Sequence, residues 1–131
     1  MTIRWITEAQ VKAAAKKSDR AALAMSLRHW KQLAAAGKKQ LSDALAAKLT
    51  ELWPEWCSLC VRGRSQGVCR CRGCPLSNAG GCGPDSIFGN AADAVCEWEE
   101  RPTSLPHWAI WRAAARAMRD LLQKLYDEGK K

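Results

Sequence analysis

The feature that most constrains this chain is a cluster of cysteines in its middle, where residues 57–82 hold six of the seven cysteines. The cluster contains two Cys-x-x-Cys pairs, Cys57 with Cys60 and Cys71 with Cys74, and ten residues separate the pairs. Each pair directs two thiolates at one ion from a tight turn, so two pairs supply the four sulfurs of a closed tetrahedral zinc site. The sequence therefore predicts a structural Zn²⁺ site in a knuckle or short ribbon.

The residues around the cysteines suit such a site electrostatically. Between Cys57 and Pro84 the chain has no Asp or Glu. A zinc ion with four thiolate ligands carries a net negative charge, and nearby arginines offset that charge and keep the thiolates deprotonated. Four arginines lie in this stretch, namely Arg62, Arg64, Arg70 and Arg72.

The start of the chain bears on the redox state of these cysteines. The first residues, Met1 to Trp5, lack the apolar stretch of a signal peptide, so we expect a reducing, cytoplasmic compartment and metal ligation. An iron–sulfur cluster, disulfides and free thiols are the less favoured alternatives. No run of 18 apolar residues occurs, so no membrane span is expected.

The net charge of +8 is distributed unevenly along the 131 residues. Residues 1–50 hold ten Lys and Arg against three acidic residues, whereas residues 51–100 hold four against seven. Lys38 and Lys39 belong to the basic part. Basic helices bind nucleic acid by neutralising phosphates, and they also occur as ordinary solvated surfaces. Both interpretations stay open on composition alone.

Helical patterns fill the first part of the chain. Thr7 and Gln10 form a capping box, which predicts a first helix from about Glu8 to Lys17. Ser18 or Asp19 is a suitable N-cap for a second helix. The second helix has an apolar stripe at helical spacing, formed by Leu23, Leu27, Trp30 and Ala34.

A third helix is expected before the cysteine cluster. Gly37 is placed to end the second helix. Pro54 would end the third, because its ring removes a backbone donor and clashes with the preceding turn. The apolar positions of the third helix are Leu41, Leu45, Leu49 and Leu52 or Trp53.

Two further helices are predicted after the cluster. Asn90 is a candidate N-cap for a short helix that ends before Pro102 and holds Val95, Cys96 and Trp98. Thr103 or Ser104 is the predicted N-cap of the last helix, and Pro106 falls in its first turn. We expect its apolar seam to pack antiparallel on the second and third helices. The seam is Trp111, Ala115, Met118, Leu122 and Leu125.

Seven tryptophans occur beside a single Phe and a single Tyr. Most fall on predicted apolar faces and are expected in the core, with Trp5 and Trp108 as candidates for exposed anchors of a partner. The two histidines, His29 and His107, are far from the cysteines in sequence, which disfavours a catalytic Cys–His pair. A closed four-thiolate site also leaves no position for a substrate. We therefore expect no enzymatic activity.

The cysteine motifs resemble those of a group of small phage and prophage proteins. The matching residues are Cys57-Ser-Leu-Cys60, Cys71-Arg-Gly-Cys74-Pro75-Leu76, Gly81-Cys82 and the downstream Phe88. The resemblance covers roughly residues 53–90 and implies a zinc-binding phage accessory protein with helices on both sides of the module. In that pattern Cys82 is as suitable a ligand as Cys71, so either one joins Cys57, Cys60 and Cys74.

The prediction is thus a single all-α domain of about five helices with an inserted zinc module. Its parts are N-terminal helices over 1–56, the module over 57–84 and C-terminal helices over 85–131. Such a protein is expected to bind a host or viral protein, for example as an anti-CRISPR-like inhibitor of a nucleic-acid-directed defence system. The alternative is direct binding of DNA or RNA through the four arginines of the module with Lys38 and Lys39.

Overall fold

A computed structural model of the chain describes residues 3–50 and 86–129. These two ranges contain five α-helices and no strand, which confirms the all-α prediction. The inserted zinc knuckle falls in residues 51–85 and lies outside the described residues. The helices are α1 (Glu8–Lys17), α2 (Asp19–Ala35), α3 (Lys38–Ala46), α4 (Ile87–Glu100) and α5 (Leu105–Glu128).

Side-chain caps set the starts of the first two helices. The Thr7 hydroxyl accepts a hydrogen bond from the Gln10 backbone N–H at 3.1 Å, and Gln10 Oε1 accepts one from the Thr7 N–H at 2.9 Å. The predicted capping box is therefore confirmed, and α1 has its predicted bounds. Ser18 alone separates α1 from α2, and its hydroxyl caps α2 by accepting from the Ala21 N–H at 3.0 Å.

Gly37 does not end the second helix as expected. The cap residue at that end is Ala36, whose N–H donates to the carbonyl of Gln32. Gly37 instead precedes α3 as its N-cap, in an extended conformation with φ −75° and ψ 169°. Its N–H donates to Gln40 Oε1 at 2.9 Å, so Gly37 begins a helix in a conformation that any residue can adopt.

The third helix is also shorter than predicted. It ends at Ala46, because the chain turns sharply at Lys48, whose φ of 57° is left-handed. This turn leaves Leu49 55% exposed and buries Thr50 completely. Leu41 and Leu45 pack in or against the core as expected, whereas Leu52, Trp53 and Pro54 lie outside the described residues.

The fourth helix starts earlier than its predicted cap. Asn90 was expected at the N-cap, but Ser86 occupies that position and accepts a hydrogen bond from the Gly89 N–H at 3.0 Å. The extra turn places the ring of Phe88 against Trp30 of α2, and this contact favours a helix that starts at Ile87. Within α4, Val95 and Trp98 are buried and Cys96 is exposed.

The last helix forms the centre of the fold. Ser104 caps it by accepting from the His107 N–H, and Pro106 lies in its first turn, both as predicted. Its principal neighbours are α2 and α4, so the expected packing on the third helix is replaced by packing on the fourth. Four residues of the predicted seam are buried, namely Trp111, Ala115, Met118 and Leu122.

Two contacts show that α5 runs antiparallel to α2, as predicted. At one end the Arg20 guanidinium lies 4.0 Å from the centre of the Tyr126 ring. At the other end the rings of Trp30 and Trp111 are 6.2 Å apart. Arg20 lies in the first turn of α2, whereas Tyr126 lies in the last turn of α5. The two helices therefore run in opposite directions.

The tryptophans supply much of the core. Trp108 is only 8% exposed and its ring lies 4.9 Å from that of Trp98. Trp108 therefore lies in the core, as was expected for most of the tryptophans, and the alternative of an exposed anchor does not hold for it, because the turn between α4 and α5 brings these two rings together. Trp5 is half-buried and packs against the same core.

Candidate functional site

Most of the predicted site residues lie in residues 51–85, outside the described residues. Lys38 and Lys39 are described, and so is Cys96, which was not among the predicted metal ligands. Within 3–50 and 86–129 no three His, Cys, Asp or Glu side chains are grouped to hold a metal ion. The predicted residues that fall outside are Cys57, Cys60, Cys71, Cys74 and Cys82 with Arg62, Arg64, Arg70 and Arg72.

The described chain nevertheless shows how the segment that carries the cysteines is attached at its start. Thr50, the last residue before it, is completely buried. Its hydroxyl lies 2.8 Å from Nε2 of His29, which is itself only 3% exposed. A buried hydrogen bond of this kind is costly to leave unmade, so it fixes the end of residues 3–50 to α2.

The other end of the segment is fixed by α4. Ser86, the first residue described after it, is buried and caps that helix. Two residues later, the Phe88 ring meets the Trp30 ring edge to face, with 6.2 Å between their centres. Aromatic pairs in this arrangement are favourable beyond the area that they bury.

Both ends of the segment are therefore held by one turn of α2. Thr50 is bonded to His29 and Phe88 packs on Trp30, and these two anchoring residues are adjacent in sequence. Sequence reasoning missed this because both contacts join residues far apart in the chain.

Burial also changes the acid–base behaviour of His29. Removal from water lowers its pKa from 6.5 to about 4, because desolvation disfavours the charged imidazolium. The neutral ring is thus the form that shares a hydrogen bond with Thr50. This role is structural, and it gives the fold a pH dependence.

We expect the free energy of unfolding to fall as the pH drops below 6.5. Below pH 6.5 His29 is protonated in the unfolded chain, whereas in the folded chain it stays neutral down to about pH 4. The contribution is fully present above pH 6.5, and its loss amounts to about 3 kcal/mol by pH 4. Urea unfolding between pH 7 and 5 would measure the first part of this loss, about 2 kcal/mol.

The matched control for this experiment is the second histidine of the chain. His29→Gln should flatten the pH dependence between pH 7 and 5, whereas His107→Gln should retain it. Equal slopes in the native protein and in His29→Gln would contradict the assignment. The interval above pH 5 is chosen because ordinary carboxylates titrate mainly below it.

His107 also has a structural role. Its Nδ1 lies 2.6 Å from the hydroxyl of Ser104, the residue that caps α5. The ring thus reaches back from the third position of the helix to the side chain of its N-cap residue. Each histidine is therefore paired with a hydroxyl group in a helix-stabilising contact.

Lys38 and Lys39 occupy the first turn of α3. The N-terminus of a helix carries partial positive charge, so a cation there is unfavourable, by about 0.3–1 kcal/mol. Neither lysine forms an ion pair with any residue in the described ranges. Positions that break a local rule without compensation are expected at functional surfaces.

Further cations lie on α1 and α2. Lys12 is paired with Glu8, at 3.2 Å between Nζ and Oε1. The remaining exposed cations of these helices include four that make no ion pair with the described part of the chain, namely Lys16, Lys17, Arg28 and Lys31.

Comparison with known proteins gives no match: no protein-family model, curated protein or solved structure matches this chain. The resemblance of the cysteine motifs to phage proteins accordingly stays a prediction.

A helix that crosses a lipid bilayer needs about 20 predominantly apolar residues. None of the described helices is both long and apolar enough to cross a membrane.

Proposed function

We propose that this protein is a non-enzymatic accessory protein of the phage type that acts by binding a host or viral protein. An anti-CRISPR-like inhibitor of a nucleic-acid-directed defence system is the form of this function that we favour. In this proposal Zn²⁺ stabilises the cysteine module and has no role in catalysis.

The observation that carries the proposal is the positive charge on the N-terminal helices, where several cations make no ion pair within residues 3–50 and 86–129. Lys38 and Lys39 lie where the helix dipole opposes them, and the cations of α1 and α2 continue the same sign of charge. An acidic partner would neutralise this charge, and complementary charge mainly increases association rate and specificity.

The histidines support binding over catalysis. His29 is buried with a lowered pKa and hydrogen-bonded to Thr50, and His107 is hydrogen-bonded to the cap of α5. A general base for a cysteine or serine nucleophile needs a ring that can exchange protons with a substrate. Both rings are instead committed to helix ends or the core.

Direct binding of DNA or RNA is the second candidate. It is favoured by Arg62, Arg64, Arg70 and Arg72 in the cysteine segment, together with Lys38 and Lys39. Phosphate contacts make affinity fall steeply with salt. The two candidates therefore differ in an easily measured quantity.

We expect the double substitution Lys38→Glu and Lys39→Glu to weaken capture of the partner about tenfold or more, because it reverses charge at the proposed contact. Capture would be measured from nuclease-treated host lysate. The control is Arg116→Glu with Lys124→Glu, which makes the same charge change on exposed positions of α5. Equal effects of both pairs would contradict a localised surface.

Titration with mixed-sequence DNA and RNA separates the second candidate. Protein binding as the primary function predicts no nucleic-acid binding at about 50 mM salt, a concentration at which phosphate contacts remain strong. Tight binding of DNA or RNA that disappears at higher salt, together with partner capture that nuclease abolishes, would show that the protein binds nucleic acid instead.

A further inference from the structure

A groove runs between α1 and α2 on the outer side of the helix pair. An open cavity of about 530 Å³ lies there, lined by residues of both helices. This volume lies within the range of about 300–1,000 Å³ that is typical of binding pockets. The apolar lining consists of Ala13, Ala14, Ala21, Ala24 and Met25.

The depth of the groove follows from its small side chains. Ala13 and Ala14 on α1 face Ala21 and Ala24 on α2, and a methyl group on each helix leaves room for a larger side chain from outside. Met25 is flexible and polarisable, and such side chains adapt to varied apolar partners. The lining residues of α1 extend from Gln10 to Lys17, which is about two helical turns.

The charge around the groove has one sign. Its two charged lining residues are Lys17 and Arg28. Lys16 precedes the first of these, and Lys31 follows the second by three residues on the same helix, where side chains are neighbours. Of the two acidic residues in α1 and α2, Glu8 is already paired with Lys12.

We propose that the α1–α2 groove binds an acidic amphipathic helix of a partner protein. The apolar stripe of that helix would fill the space above the alanines, and its flanking carboxylates would meet Lys17 and Arg28. Recognition of a helix in a groove uses residues spaced at i, i+3 or i+4 and i+7, which matches a groove two turns long. This inference rests on the proposed function, since it names the chemistry of the bound protein.

The charge and apolar lining of the groove argue against three other ligands, namely another part of this chain, a second copy of it and nucleic acid. The stretch from Cys57 to Pro84 has four arginines and no acidic residue, so these residues of the chain would be repelled by the cations of the groove. In a second copy, α4 offers acidic residues such as Asp93, Glu97 and Glu100, but its exposed face lacks a large apolar side chain. Nucleic acid would use the cations and leave the apolar floor uncovered.

The test uses two synthetic helical peptides of eighteen residues with the same leucine stripe. One carries glutamates beside the stripe and the other carries lysines at those positions. Fluorescence anisotropy with the full-length protein should show saturable binding of the acidic peptide, with Kd on the order of 10–100 µM, and at least tenfold weaker binding of the basic one.

Two substitutions test the groove itself. Ala24→Phe fills the space between the helices, and Arg28→Glu reverses a rim charge, so each should weaken binding of the acidic peptide about tenfold. Ala113→Phe, at an exposed position of α5, should change binding less than about twofold, which is the scale of an uninvolved surface change. Circular dichroism establishes that each variant remains folded.

Several results would overturn the inference. These are no saturable binding of the acidic peptide below about 1 mM, which is the weak end of specific association, equal binding of both peptides, or binding unaffected by Ala24→Phe. Light scattering that shows a dimer dissociated by Ala24→Phe would instead assign the groove to a second copy. The peptide assay reports the groove, whereas the Lys38 and Lys39 substitutions report the proposed function, so either can fail alone.

Discussion

Removal of metal by a chelator under reducing conditions should abolish most of the stability of this protein. Structural zinc contributes on the order of 10 kcal/mol in small metal modules. The total stability of a domain is only about 5–15 kcal/mol. We therefore expect one zinc per chain by elemental analysis, and a large fall in melting temperature when the metal is stripped.

Two cysteine substitutions provide the matched comparison. Cys74→Ser removes a proposed ligand and should lower the bound zinc well below one per chain. Cys96→Ser changes an exposed cysteine on α4, outside the proposed set, and should leave the bound metal unchanged. An absence of stoichiometric metal, or an unchanged melting curve after chelation, would remove the basis for a zinc module. Substitution of Cys71 and Cys82 in turn would identify the fourth ligand.

Trp111→Ala should cost the helical core about 3–5 kcal/mol, which lowers the melting temperature by roughly 10–20 °C. Trp111 is fully buried on α5 and contacts Trp30 of α2 across the interface of the two helices. Loss of the ring opens a cavity at the centre of the fold, where the surrounding helices can collapse only partly. Thermal unfolding followed by circular dichroism measures this change.

Trp111→Phe is the matched control for the alanine substitution. It retains an aromatic ring and removes the indole N–H, which is buried and has no hydrogen-bond partner in the described part of the chain. Since an unpartnered buried donor is itself costly, this variant should lose much less stability than Trp111→Ala. Similar melting temperatures for the two variants would show that Trp111 is not central to the core.

The sequence predicted those parts of the fold that depend on neighbouring residues. The capping box of Thr7 with Gln10, and the caps Ser18 and Ser104, each act over about three residues, so their partners could be found by spacing. The apolar seam of α5 was identified for the same reason, because helical periodicity alone places its members on one face.

The boundaries that failed were decided by distant contacts. Asn90 and Ser86 are both suitable caps, and the contact of Phe88 with Trp30 favours the earlier start. Likewise, the pattern of leucines would continue α3, but the turn at Lys48 directs Thr50 inward to His29. A single sequence contains no signal for either contact.

Of the two candidate surfaces, only the one that contains Lys38 and Lys39 could be predicted from the sequence. Net charge identified Lys38 and Lys39 as candidate contacts, because charge is a property of composition. The α1–α2 groove was not foreseen, since alanines at helical spacing also describe a tightly packed interface. The structure shows that these alanines line an open groove on the surface of the helix pair.

The attachment of residues 51–85 to adjacent positions on α2 has an evolutionary consequence. Thr50 contacts His29 and Phe88 contacts Trp30, so the length of chain between these two anchored residues can change without altering the path of the described helices. Closing a longer loop between fixed ends adds little entropy cost, only about 0.6 kcal/mol for each doubling of its length. Selection can therefore vary the length of residues 51–85 at little cost to the helices on either side.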